Sequence, residues 1–373
     1  MARLIKVGTR GGEVEWKKAL KDVRADDILL LEPGFYQLDQ GLNVADITIK
    51  GMGNNPEDTV IEGYFSLGGD CRFFNLENIA VRTKTNHNAF FIEQSADTYL
   101  TLRNAVIESG IDNTAAIAGN GKCTIELFSV KILGASISLF KNSSFRLTMN
   151  DCYIDYPSTR YAAIGIQGKG TAIISNSIIK GNLSTYFDSN SEVDLNNSQV
   201  NTLLIHGQTW MNLLNTQVTG KDDGSFYVSD ESWINVVNCS FVGGVYFDKK
   251  ARAIIQNSQM DRLIGCNEAK LTLSNTQINS HADFQDEATC NATRVAFSGG
   301  KEFEYFLALN AKASLTGNDI ILNPNQGTMA IKDDANITLN VLTANQDSLE
   351  IECEKPENIS ILGIKWAPKT TDD

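Results

Sequence analysis

Between Asn78 and Gly363 the hydrophobic and polar positions follow a block of the form apolar, polar, apolar, any, Asn, small, polar, apolar, which returns about every 22 residues. The fifth position holds Asn78, Asn104, Ser129, Asp151, Asn176, Asn197, Asn215, Asn238, Asn257, Asn275 and Arg294, and then Gly317, Val341 and Gly363. Two positions earlier stands an apolar column running from Leu76 to Ile361, and three positions later another running from Val81 to Trp366. Polar residues such as Thr101, Glu126 and Asn212 separate the first and third positions, which is the period of two expected of a half-buried strand and excludes a helix. Asn tolerates left-handed backbone better than other non-glycine residues, so its column predicts a corner between two strands. Stacked corners predict an Asn ladder inside or along the turn. Gly317 and Gly363 are expected to supply positive φ without a side chain.

A third strand is predicted about 12 residues before each corner, where Ile92, Ile117, Leu139, Ile164, Leu203, Phe226, Val245, Leu263, Tyr305, Met329 and Ile351 recur, with Thr185 and Ala282 as weaker members. Three strands per coil without intervening helices predict an all-β, right-handed parallel β-helix. About fourteen coils over residues 47–366, at roughly 4.8 Å each, give a rod of about 65 Å. Coils touch only their neighbours, so the pattern predicts a single domain over 1–373, with 367–373 as a tail. An open coil end needs a cover, and residues 12–24 read as an amphipathic capping helix with Val14, Trp16, Ala19, Leu20 and Val23 apolar.

After that helix come Asp26-Asp27-Ile28-Leu29-Leu30-Leu31-Glu32-Pro33-Gly34-Phe35-Tyr36, then Ile47-Thr48-Ile49-Lys50-Gly51, then Thr59-Val60-Ile61-Glu62-Gly63. This order resembles the N-terminus of the pectin-lyase-like (pectate lyase) β-helix superfamily, and the resemblance extends as architecture over nearly the whole chain. It implies a fold and a polysaccharide-related setting, and says little about chemistry. Pectate lyases of that superfamily combine a calcium-binding carboxylate cluster with a catalytic Arg, and no arginine here has a matching context. Of the polygalacturonase segments only Asp222-Asp223 and His206-Gly207 occur, in the wrong order. Pectin methylesterase motifs are absent.

Composition narrows the partners. A formal charge of −13 disfavours nucleic acid, and would oblige a polyuronate binder to carry calcium or a local basic cleft. No apolar run is long enough for a membrane span, and Met1-Ala2-Arg3-Leu4-Ile5-Lys6 lacks the apolar region of a secretory signal. Those features predict a cytoplasmic protein, or a secreted or surface-associated one if a leader was removed. Cys71, Cys123, Cys152, Cys239, Cys266, Cys290 and Cys353 form an odd set that does not match on adjacent coils, which predicts free buried thiols. The Asn-x-Ser/Thr triplets, Asn142 and Asn238 among them, are by-products of the corner. No cofactor motif is present; calcium would have no motif to hold it, and an acidic turn at Asp222, Asp223 and Asp230 reads as solvated. His87 and His281 have no metal-ligand spacing.

The remaining chemistry lies on the outward side of the third strand. One column is expected to hold Tyr186, Leu204, Tyr227, Tyr246 and Ile264, with Phe306 beyond; the next holds Asp188, His206, Ser229, Asp248 and Cys266. Tyrosines in a row suit stacking on sugar rings, with Ser229 and Asp248 as hydrogen-bonding neighbours. The same row also serves plain coil-to-coil stacking. Asp188 and Asp248 would lie about 14 Å apart, too far for a glycosidase carboxylate pair, which leaves Asp188 with His206 as the acid/base candidates. Two readings stay open: a polysaccharide- or oligosaccharide-interacting protein, either a binder or a lyase or hydrolase with an unfamiliar site, and a scaffold rod presenting a flat β face to a protein partner.

Overall fold

The computed structural model describes residues 2–8, 14–38, 42–43, 46–110, 114–156, 158, 160–221, 224–300, 302–324, 327–344 and 348–369. They form an all-β parallel β-solenoid of about 15 turns, divided into two compact units, Met1–Val200 and Asn201–Asp373.

In the first unit Phe73–Glu77, Asp97–Ser109, Lys122–Leu133, Ser144–Asn150, Lys169–Ser175 and Asn190–Asn196 stack in parallel register. A second stack joins Phe65–Leu67, Phe90–Ile92, Ala115–Gly119, Ser136–Leu139 and Ile164–Ile166. Alternation puts Leu76, Leu102, Leu127, Met149 and Ile174 into the core, each at most 1% exposed. Phe65 and Phe90 stack inside at 5.2 Å between centroids.

The second unit repeats the device with Trp210–Leu214, Trp233–Val237, Arg252–Gln256, Lys270–Phe284, Thr289–Ser298, Ser314–Asn323 and Asn336–Ala344. Its third-strand stack contains Phe226–Val228, the end of Ser240–Phe247 and the end of Gln259–Gly265.

The corner column is left-handed as the asparagines require. Asn78 has φ 56°, Ser129 54°, Asn215 50° and Arg294 53°. Ladder bonds run from coil to coil, with Asn104 donating to Asn78 at 2.9 Å and Asn275 to Asn257 at 2.7 Å. The ladder lies along the outside of the turn, since most of these side chains are exposed. The residue after each corner turns inward and adds a ladder that the sequence reading overlooked. Ser258 accepts the Cys239 amide at 3.0 Å, Ser198 accepts the Ser177 amide at 3.1 Å, and each hydroxyl donates to the carbonyl two residues before it.

Several expectations need correction. Gly317 pairs with Ala292 as an inward strand residue, and Asp319, with φ 56°, makes that corner. Val341 continues a strand and pairs with Ile320, so Ala344 loses its expected core place. Trp366 is only half-buried. Leu183, not Thr185, is the register partner of Ile164, and Leu307, not Tyr305, is that of Met329. Ile92 and Leu139 occupy the second inward position of the third strand, whereas Ile117 and Ile164 occupy the first. Phe306, expected outward, is fully buried.

The capping helix spans Trp16–Asp22; Gly12 lies outside the described residues. Trp16 and Ala19 are buried, and the Trp16 indole donates to the Gln37 carbonyl at 3.0 Å. Among the described residues no helix is long and apolar enough to cross a membrane. All seven cysteines are free, five of them buried.

Candidate functional site

Of the predicted residues, Tyr186 and Asp188 belong to the first unit, and His206, Tyr227, Ser229, Tyr246 and Asp248 to the second. In the second unit the register holds for Tyr227 and Tyr246, which are paired neighbours on adjacent coils, flanked by Leu204 and Ile264. Beside them, His206 Nδ1 lies 2.9 Å from the hydroxyl of Ser229, and the His206 and Tyr227 rings are 5.5 Å apart. Ser229 is 1% exposed, so its hydroxyl faces the imidazole and not solvent.

The carboxylates there are committed to the turn. Asp248 accepts Tyr227 Oη at 2.7 Å, Asn267 Nδ2 at 2.5 Å and the Lys249 amide at 2.7 Å. Asp230 accepts the Gly207 amide at 2.9 Å and Lys249 Nζ at 2.6 Å. This is a second left-handed corner that sequence reasoning missed. Asp230, Lys249, Asn267, Asp286, Ala311 and Asp333 all have φ between 55° and 63°. Asp286 and Asp333 satisfy the amides of Asn267 and Ala311 on the preceding coil, as Asp230 does for Gly207. The signal was a small residue following the corner, as in Ser232, Ala251 and Ala288, but Lys249 and Ala311 in the corner column hide it.

Electrostatics follow from these bonds. Burial opposes ionisation of Asp248 and Asp230, yet the hydrogen bonds outweigh it and hold both carboxyls below the usual range. Burial pushes the Tyr227 phenol up to about 12, helped by its bond to Asp248. Burial, aided by Lys249 and opposed by Asp230, lowers the His206 pKa and leaves the imidazole neutral near pH 7. Neither carboxyl is held protonated as a general acid for glycoside cleavage must be. Asp222 and Asp223 lie outside the described residues.

In the first unit Tyr186 and Asp188 sit beyond the end of a strand. The Tyr186 amide bonds to the carbonyl of Ile166, and the outward strand position belongs to Ser184. Asp188, two residues on, is exposed and forms an ion pair with Lys141 at 2.6 Å. The outward tyrosine row therefore does not include Tyr186, which stands on the turn side of the strand, at the place that Ser229 and Asp248 take in their own coils.

Tyr186 instead stands at the rim of an open cavity of about 110 Å3 that is also lined by Asn88, Ala115, Ser136, Ser138, Phe140, Tyr156, Tyr161, Ala162 and Gly165. Tyr156 is buried, while Tyr186 and Phe140 are each 37% exposed at its rim. The Ser158 hydroxyl accepts the amides of Arg160 and Tyr161 at 3.2 and 3.1 Å, a local turn that brings Tyr161 to the opening. Arg160 lies over the Tyr161 ring at 5.3 Å. Gly165 leaves the wall open, because a Cβ there would touch the Tyr186 ring at 3.6 Å. Asn88 Oδ1 holds the Ala115 amide at 2.9 Å, and the Ser136 and Ser138 hydroxyls lie 3.3 Å apart. Rings thus surround a space edged by hydroxyls and one amide. The sequence reading found Tyr186 but not Tyr156, Tyr161 or Phe140; the available signal was Tyr156-Pro157-Ser158-Thr159-Arg160-Tyr161, which lengthens one coil.

The two other histidines carry structural contacts. His87 stacks on Tyr64 at 4.2 Å, and His281 stacks on Phe303 at 4.8 Å while its Nδ1 lies 2.6 Å from the Tyr305 carbonyl. Comparison of the chain with protein-family models, with curated proteins and with solved structures yields no match.

Proposed function

We propose that this chain is a saccharide-binding β-helix protein of the pectin-lyase-like superfamily, acting without catalysis, and that its ligand enters the tyrosine-lined cavity of the first unit. The observation that carries this reading is the grouping of Tyr156, Tyr161, Tyr186 and Phe140 around about 110 Å3, with serine hydroxyls and Asn88 at the edge. A space of about 110 Å3 with an open rim takes up part of one sugar ring of a longer oligosaccharide, the rest of the ring lying outside against Tyr186 and Phe140. Aromatic faces take up the C–H side of such a ring, and hydroxyl and amide groups serve its hydroxyls. Binding without catalysis is supported by the second unit, where Asp230 and Asp248 are held ionised by turn bonds and Ser229 is buried.

Titration calorimetry against a panel of neutral and acidic oligosaccharides tests the reading. Tyr161→Ala and Tyr186→Ala are each expected to weaken binding about tenfold, and Gly165→Val to abolish it by filling the wall. Binding unaltered by all three variants would remove the cavity from the proposal. Product release from the same panel, lost in Asp188→Asn or His206→Gln, would overturn the noncatalytic part. The second reading, a protein-interaction rod, is favoured by Phe187, which is 68% exposed beside Tyr186.

A further inference from the structure

We propose that the outward face of the first-strand stack in the second unit binds a neutral polysaccharide chain along its length. Seven parallel strands, from Trp210–Leu214 to Asn336–Ala344, present three outward residues each before the corner, those of the first being Trp210, Asn212 and Leu214. None of these outward residues is Asp or Glu, in a chain that carries 45 such residues and a net charge of −13. The corresponding strands of the first unit do carry them, at Glu77, Glu126, Glu192 and Asp194.

The middle column is made of Asn212, Asn235, Thr272, Asn291, Thr316 and Thr338, interrupted once by Ile254. Amides and hydroxyls both donate and accept, as sugar hydroxyls do, whereas carboxylates only accept. Coils rise by about 4.8 Å, and alternate residues along a strand are about 6.6 Å apart, so the groups form a regular two-way array. At one end the indoles of Trp210 and Trp233 stack on each other at 3.9 Å, with Trp210 48% exposed. Arg252 and Lys270 continue that column, both exposed. The acidic groups nearest in sequence lie at the edges of the face: Asp319 at the corner that follows Asn318, and Glu231, Glu268, Glu287 and Asp334 on the turns that precede the strands.

Those features favour a neutral polymer over an acidic one. A polyanion approaching this face meets two cations but also the field of the whole acidic chain, and an uncharged glycan meets matched donors and acceptors. The inference takes its ligand class from the cavity reading but uses different residues, so the two fail separately.

Affinity electrophoresis of the full chain tests it, in gels containing xyloglucan, galactomannan, hydroxyethylcellulose or dextran, with sodium alginate and single-stranded poly-dT as charged controls. Retardation by at least one neutral polymer is expected. Asn291→Asp with Thr316→Glu, which places carboxylates in the array, is expected to weaken that retention about tenfold, as is Trp210→Ala. Tyr161→Ala with Tyr186→Ala should leave it unchanged. Circular dichroism of each variant verifies the fold. The proposal is overturned by a parent chain that no neutral polymer retards, by stronger retention on alginate or poly-dT, or by face variants that migrate as the parent does. Loss of retention in the tyrosine variant alone would assign the polymer to the cavity instead.

Discussion

Asp27 illustrates how one buried charge is kept. It is 2% exposed, and Arg3 Nε donates to it at 3.0 Å while the Arg24 amide donates at 2.7 Å. The bond from Arg3 is the largest influence; with the backbone bonds it outweighs burial, which acts in the raising direction, and holds the carboxyl at about 2. Unfolded, the group titrates near ~3.9. Because the folded value is the lower one, the contribution is complete above about pH 4 and disappears as pH falls through about 2. It amounts to about 1–2 kcal/mol once screening at the half-exposed Arg3 is allowed for. Urea unfolding from pH 6 to pH 2 is expected to show this loss in the parent and a flatter profile in Asp27→Asn, which is already destabilised at pH 6. Parallel profiles for the two would exclude the assignment.

At the scale of one coil, the corner decides which substitutions are tolerated. Asn257 has φ 50° and accepts the Asn275 amide group at 2.7 Å. Glycine adopts that backbone freely, so Asn257→Gly is expected to lose only the ladder bond, about 0.5–1.5 kcal/mol. Asn257→Val adds the left-handed penalty of a β-branched residue, about 1–2 kcal/mol more. Thermal unfolding of the pair checks the order, and equal melting points would contradict it. The same physics made this corner readable in advance, since left-handed backbone restricts residue choice to Asn, Asp, Ser and Gly at most coils. The second corner was hidden because Lys249 and Ala311 adopt left-handed φ against preference, with the Ala311 amide satisfied by Asp333 of the next coil and the Lys249 amide by the adjacent Asp248. Thr185 misled for a similar reason: it is fully buried, and its coil gives no periodic cue that Leu183 is the true first inward residue. The tyrosine cavity was only partly visible, because Tyr156 and Tyr161 flank an irregular turn whose geometry no two- or three-residue period encodes.

Across the molecule, stability is a sum of short-range terms, because each strand pairs with those of the coils immediately before and after it. Ile255, fully buried, belongs to Arg252–Gln256, which pairs with Trp233–Val237 and with Lys270–Phe284. Ile255→Ala is expected to cost about 2–5 kcal/mol. Hydrogen exchange should quicken most in those three strands and remain at parental rates in the Phe73–Glu77 region of the first unit; uniform acceleration would contradict the local picture. The thiols extend this point. Burial alone pushes the Cys123 thiol up to about 12, and burial is the main cause that takes Cys152 and Cys239 to about 11. A closed winding therefore presents almost no thiolate to an alkylating reagent. Cys123, Cys152 and Cys239 each become an internal clock for their own stretch of the solenoid: mass-resolved alkylation times the opening of individual windings without any label having been engineered into the chain.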